Sequence, residues 1–256
     1  MDSLGARMKE HERISRTVLP RRAYTLIRAD GRNFGTYLRD SDKPFDAGFV
    51  TDMDHVTRML CEEVAGTVLA YTQSDEISLL LTDFAGHGTQ PWFGGQVQKI
   101  VSTVAALATA TLCSRHPARP ATFDARVFTI ADPREVANYF LWRQRDAVRN
   151  SISMAAQAHF PHNRLHGMNS GRMQELLWQE KGINWNDYPA GIKRGRVAIR
   201  ESGEQPVTFT HKRTGETTST TATRTWWQVH DAPHFDLTPA GFLAQTIPRL
   251  PTLSEP

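Results

Sequence analysis

The stretch Val68-Leu69-Ala70-Tyr71-Thr72-Gln73-Ser74-Asp75-Glu76-Ile77-Ser78-Leu79-Leu80-Leu81 decides the fold. Two short apolar runs, Val68 to Thr72 and Ile77 to Leu81, flank the polar tetrad Gln73-Ser74-Asp75-Glu76. Apolar runs of strand length on either side of turn residues read as a hairpin. Upstream, Ala23 to Ala29 is a further strand candidate, and it closes on Asp30-Gly31-Arg32-Asn33-Phe34, which is turn chemistry. Between them, Phe49, Met53, Val56, Leu60 and Val64 fall at helical spacing over residues 47–67. A second stripe, Phe93, Val97, Ile100, Val104, Ala108 and Leu112, predicts a helix over 92–114, and Phe123 to Ile130 is another strand candidate. The order βαββαβ is the split ferredoxin-like pattern. The expected fold class is therefore α+β: a palm-like core over residues 20–132 with a helical and β-hairpin extension packed on it.

Outside that core, Leu4 to Ser15 reads as a helix in a polar lead-in. Pro133 to Arg149 is helical, and further helix follows a polar loop up to Lys181. Residues 196–230, rich in Thr, Val and Trp, read as one or two β-hairpins, and the tail from Pro233 as extended chain. The expected division is 1–132 for the catalytic core and 133–256 for the extension.

The chain has 256 residues, 39% of them hydrophobic, which supports a packed core and argues against wholesale disorder. The net charge of +3 permits a polyanionic partner without demanding one. Cys61 and Cys113 lie far apart, so they build neither a zinc site nor a disulfide framework, and a reducing, cytoplasmic setting fits them best. No secretory signal and no apolar run of membrane-span length is read from the sequence.

Topology brings three carboxylates together. In a split βαββαβ sheet the first two strands run parallel and the third lies antiparallel between them. The hairpin joining strands two and three then sits beside the C-terminal end of strand one. Asp30 ends strand one, and Asp75 and Glu76 lie in the hairpin. Clustered carboxylates repel unless a cation sits among them, and hard oxygen ligands suit Mg²⁺. Two such ions would give the clamp for in-line phosphoryl transfer. Gly31, lacking Cβ, lets the backbone approach metal or phosphate. Each motif taken alone is also good turn chemistry; the convergence is what favours catalysis.

These residues carry a family likeness. Arg28-Ala29-Asp30-Gly31-Arg32-Asn33-Phe34, Lys43-Pro44, Tyr71-Thr72-Gln73-Ser74-Asp75-Glu76-Ile77-Ser78, Phe123-Asp124-Ala125-Arg126-Val127, Trp142-Arg143-Gln144-Arg145-Asp146 and Lys193-Arg194-Gly195 appear in family order across residues 23–200. The chain resembles the tRNA-histidine guanylyltransferase family. The resemblance implies a polymerase-type palm that adds nucleotides to the 5′ end of tRNA in the 3′-to-5′ direction. The incoming nucleotide's 3′-hydroxyl would attack a 5′ phosphate activated by ATP or carried as a triphosphate. It implies two Mg²⁺ ions held by Asp30, Gly31 through its carbonyl, and Asp75, with Glu76 supporting them. It implies a nucleotide (GTP or another NTP, and ATP) bordered by Asp30, Gly31, Arg32, Asn33, Phe34, Gly35, Lys43, Ser74, Asp75 and Lys99. RNA contacts would come from Arg143, Arg149, Asn150, Lys193 and Arg194, and the assembly would be a homo-oligomer, a tetramer by family.

The sequence departs from the guanylyltransferases proper. Val148 stands where a histidine is expected after the Trp-Arg-Gln motif, Phe45 replaces a polar residue, and Gln96 replaces a basic one. These changes resemble the bacterial and archaeal "-like" branch and favour templated repair of tRNA 5′ ends over strict tRNA-histidine specificity. His159, His162 and His166 have no carboxylate or cysteine partner, so they read as a solvated loop. Adjacent Trp226 and Trp227 point to opposite faces of a strand, so one should be core. Arg194, Arg196, Lys212 and Arg213 read as a possible basic rim for RNA or an ordinary charged hairpin. Two other readings stand beside the transferase: a non-catalytic ferredoxin-like RNA-binding protein, and a palm-type nucleotide cyclase. The first would show strand aromatics on one sheet face, and no such run is present. The second would need no RNA.

Overall fold

Of the chain, the computed structural model describes residues 3–251. Helix α1 (Leu4–Ile14) leads to strand β1 (Tyr24–Gly31), the one-turn α2 (Phe34–Tyr37) and α3 (Ala47–Glu63). Strands β2 (Thr67–Gln73) and β3 (Glu76–Leu81) form the hairpin, and α4 (Val97–Arg115) and β4 (Phe123–Ile130) complete the βαββαβ order. There follow α5 (Pro133–Gln157), α6 (His162–Leu165), α7 (Ser170–Lys181) and α8 (Ala190–Arg194), then the long strands β5 (Arg196–Thr210) and β6 (Thr217–Asp231), and α9 (Phe242–Thr246). All six strands join one sheet in the order β4-β1-β3-β2-β5-β6, every neighbouring pair antiparallel. Strands β1 and β2 are thus parallel with β3 between them, as the topology required.

Strand β3 is buried at all six positions. A central strand covered on both faces reads as a continuous apolar run, which is why its sequence does not alternate. One face receives α3 and α4, whose Met53, Val56, Leu60, Ile100 and Val104 meet Ile27, Ala29, Ile77 and Leu79. The other receives α5 and the tail, through Val136, Phe140, Ala147, Phe235 and Leu243 against Tyr24, Leu26, Leu69 and Leu80. The long α5 starts where its residues dictate. Asp132 caps it by accepting from Arg134 N, and Pro133 occupies the first turn.

Several boundaries differ from expectation. Strand β1 continues through Asp30 and Gly31, because both find ladder partners in Asp124 and Phe123 of β4. Helix α5 runs past Arg149 to Gln157, since Ala155 and Ala156 pack against Phe160, Leu165 and Leu177. The tail is not wholly extended: α9 forms around the buried Leu243. Among the described residues one helix, α4, is long and apolar enough to cross a membrane, although no such run was expected. Its stripe of Ile100, Val104, Ala108 and Leu112 is buried in the protein core. Trp227 is core and Trp226 half-buried on the opposite face, as alternation demands. Strands β5 and β6 pair along their whole length, yet β5 joins β2 only at Arg196 to Ala198. The remainder is a two-stranded ribbon reaching into solvent.

Candidate active site

Asp30 stands opposite Glu76 in the β1–β3 ladder, and Gly31 N donates to Asp75 O at 3.0 Å. Gln73 pairs with Glu76, so the hairpin turn is only Ser74 and Asp75, with Ser74 in the left-handed region at φ 48°. The chain leaves β1 through Asn33, also left-handed at φ 58°. Asn tolerates that conformation better than most residues. Asp30 and the adjacent pair Asp75 and Glu76, distant from it in sequence, therefore meet at one end of the sheet.

Their partners differ sharply. Glu76 is buried and gripped by Arg143, whose Nε and Nη2 donate to Glu76 Oε1 and Oε2 at 2.7 Å each. Arg143 Nη2 also reaches Asp146 Oδ2 at 2.8 Å. Arg28 Nη2 donates to Asp30 Oδ2 at 2.8 Å. Arg28 Nε lies 3.0 Å from Glu76 Oε2 but off line, so that N–H stays buried without a hydrogen bond. Asp75, among the described residues, has no ion pair. Burial pushes its carboxyl above the ordinary range; the Ser74 hydroxyl pulls it back, and the Asp30 charge adds to the rise. Burial also raises Glu76, against which Arg143 and Arg28 act. The cluster thus separates into a carboxylate that is fully neutralised, Glu76, and two that retain capacity, Asp30 and Asp75.

Beside the turn lies a cleft whose walls include Lys43, Phe45, Phe49, Ser74, Asn150 and Arg196. Phe45 and Phe49 line it together with polar groups, among them Ser74, the residue before Asp75. That is the make-up of a site that sandwiches a flat ring and reads its edge. Asp30 and Asp75, with the Gly31 carbonyl, offer hard oxygens that fit Mg²⁺, which keeps much of its shell for water and phosphate. Among the described residues no three His, Cys, Asp or Glu side chains close into a protein-only metal cage.

Residues 5–131 match the family model described as tRNA-His guanylyltransferase. A bacterial tRNA(His) guanylyltransferase-like protein solved with ATP is 40% identical, with a TM-score of 0.78 over 91% of this chain and 94% of that one. The chain belongs to the tRNA(His) guanylyltransferase family. The tRNA(His) guanylyltransferase of Schizosaccharomyces pombe is 28% identical over 217 residues, 77% of this chain and 80% of the relative. The tRNA(His) guanylyltransferase of Saccharomyces cerevisiae shares the fold, with a TM-score of 0.62 over 72% of this chain at 21% identity. As a member of this family the chain is a nucleotidyltransferase, and nucleotidyl transfer in the family implies use of a divalent metal.

Within this guanylyltransferase-family palm the residues expected at the site are not all brought together. Arg32, Asn33 and Gly35 are exposed beside Asp30, while Phe34 is buried beneath them against Phe123. Gly31 has a further reason to be small: an added Cβ would come within 2.4 Å of the Phe34 ring. Lys43 borders the cleft, its Nζ donating to Leu38 O at 2.8 Å. Asn150, expected at the RNA, lies in the same cleft.

Lys99 is not at this site. The next residue, Ile100, packs beside Thr25 and Leu81, which pair with each other five residues along β1 from Asp30. That is about 17 Å of strand. Arg143 is not an RNA-facing residue either, because it is 3% exposed and committed to Glu76 and Asp146. Arg196 is likewise no rim residue: it is buried and paired with Asp54. Arg149 is exposed and paired with Asp146. Lys193 donates to Asn186 O over the Trp185 ring, and Arg194 accepts from the Tyr71 hydroxyl through its carbonyl at 2.7 Å. His159, His162 and His166 are exposed, as expected of a solvated loop.

Proposed function

We propose that this protein adds nucleotides to the 5′ end of tRNA, working at Asp30 and Asp75 and drawing the incoming nucleotide from the adjoining cleft. The observation that carries this reading is Asp75: a half-buried carboxylate without an ion-pair partner among the described residues, next to a second carboxylate, at the lip of a cleft with aromatic residues in its walls. Groups perturbed by burial and a like charge in a cleft are poor structural choices and good catalytic ones. In the proposed reaction the incoming nucleotide's 3′-hydroxyl oxygen bonds to the activated 5′ phosphorus, and pyrophosphate or AMP leaves. Two Mg²⁺ ions, when bound, would supply a lowered hydroxyl pKa and neutralise the triphosphate. Asp30, Asp75 and the Gly31 carbonyl would hold them. Glu76 would keep Asp30 in register through Arg28, and Lys43, Ser74 and Asn150 would orient GTP, ATP or another nucleotide. Residues 1–132 would form the catalytic palm, and 133–256 would close the cleft from α5 and α8. The protein would act in the cytoplasm as a homo-tetramer.

The test uses Mg²⁺, NTPs and two tRNAs lacking the first 5′ nucleotide, one a histidine tRNA, each as 5′ monophosphate and 5′ triphosphate. Templated addition to both tRNAs is expected. Addition of G to the histidine tRNA alone would narrow the activity, and no addition to any would overturn it.

Metal binding should follow the Asp75 proton. A carboxyl raised above its ordinary value costs the metal-free fold stability as pH rises through that raised value, and Mg²⁺ relieves the cost by binding the ionised form. The Mg²⁺-induced rise in melting temperature should therefore shrink on acidification, and at a higher pH than an ordinary carboxylate would allow. An increment that falls only where an ordinary carboxylate titrates would remove Asp75 from the metal site.

A further inference from the structure

Trp142 leaves 54% of its surface in water although it sits on the helix that covers the sheet. Its ring is not loose. The Arg143 guanidinium lies 4.4 Å from its centroid, and Tyr139 meets it edge-on at 5.9 Å. Arg143 is fixed in turn by Glu76, and Tyr139 by a 2.8 Å hydrogen bond with Ser78 and by the Phe128 ring. The same guanidinium thus touches both the Trp142 ring and the carboxylate opposite Asp30. Two exposed arginines belong to the same end of the site: Arg126, 55% exposed, shared between Asp30 and Asp124, and Arg149, 67% exposed, paired with Asp146.

The position on α5 gives direction. Ala147 and Asn150 line the nucleotide cleft, and Trp142 lies about 8 Å back along the helix axis from Ala147. The nucleotide cleft and the Trp142 ring are therefore neighbours along one helix, and through Arg143 the ring adjoins the carboxylate cluster.

We infer that Trp142 is a stacking platform for the 5′-terminal base of the acceptor RNA, with Arg126 and Arg149 flanking its phosphates. The assignment rests on the RNA-directed reading of the site given above. A rigid aromatic ring bordered by cations binds nucleobases through stacking and phosphates through charge, without reading sequence. Such tolerance suits an enzyme that must accept whichever base stands at a 5′ end. The link of the ring through Arg143 to the carboxylate site, where the 5′ end must lie to react, favours RNA over a second copy of this chain as the occupant.

The test is RNA binding by the full-length chain, followed by fluorescence anisotropy of a 3′-labelled tRNA lacking its first 5′ nucleotide. Trp142→Ala should weaken binding about tenfold, and Trp142→Phe should restore most of it. Trp178→Ala serves as the control, because Trp178 is 59% exposed on α7, which packs on the far, C-terminal end of α5. In turnover, Trp142→Ala should raise the KM for tRNA and leave the KM for the nucleotide in place. Wild-type RNA affinity in Trp142→Ala would overturn the assignment. So would a fall in oligomeric mass by light scattering in that variant, which would make the ring an interface between copies. A wild-type chain inert toward every tRNA would instead sink the reading of the carboxylate site, and the binding comparison would still decide the role of Trp142.

Discussion

Asp75→Asn abolishes nucleotide addition, by on the order of 10³-fold or more, and yields a protein that melts no lower than its parent at neutral pH. The two effects have one cause. Ionising Asp75 is opposed by burial and by the Asp30 charge. A folded-state pKa raised above the unfolded value means that ionisation costs stability once the pH exceeds it. The isosteric amide removes that cost and removes the ligand. Loss of metal-borne charge stabilisation is worth several kcal/mol of barrier, and each ~1.4 kcal/mol is tenfold in rate. Activity can be read by labelled-nucleotide incorporation and stability by thermal melting. Activity within tenfold of the parent, or a melting point several degrees lower, would show that Asp75 is merely a turn residue.

Arg143→Ala should do the reverse and damage the fold first. It strands Glu76 in the interior with only the misaligned Arg28 for compensation. Removing one partner of a buried pair costs about 3–5 kcal/mol, against ~1 kcal/mol or less for an exposed one. Urea unfolding should show a midpoint shift of that size for Arg143→Ala and little for Arg149→Ala, whose ion pair is at the surface. The double variant Glu76→Gln with Arg143→Met should recover much of the loss, because it leaves no unpaired charge. A small stability change in Arg143→Ala together with a large loss of tRNA affinity would return Arg143 to the RNA surface.

The carboxylate site was legible because two local signals sufficed. Turn residues marked where β1 and the β2–β3 hairpin end, and the βαββαβ order fixed which ends lie side by side. The Glu76–Arg143 pair was not legible. It joins residues 67 apart through a fork whose aim depends on how α5 crosses the sheet. Arg143 in sequence is one more arginine in a basic run, and only its burial shows its occupation. Gly31 could not be understood without the Phe34 ring beneath it. Lys99 was misplaced for a more instructive reason. Helical spacing says which face of α4 is free but not which end of the sheet that face overlooks. The topology held the answer: β3 begins at the site and ends away from it, so the helix that follows must begin at the far end. The cleft beside the turn was legible only in part: Lys43, Ser74 and Asn150 were named from their motifs, whereas Phe49 and Arg196 join them from segments whose meeting no local signal marks.

The arginine fork has a consequence for the order in which the chain is made. Glu76 leaves the ribosome 67 residues ahead of Arg143, and β1 ahead of β4, its neighbour on the outer side of the sheet. Until α5 emerges, the growing palm holds a carboxylate that must remain hydrated, so its sheet cannot close on that face. A nascent chain halted near residue 132 would therefore present an open, hydrated face to chaperones, which the arrival of α5 and then of the tail would seal.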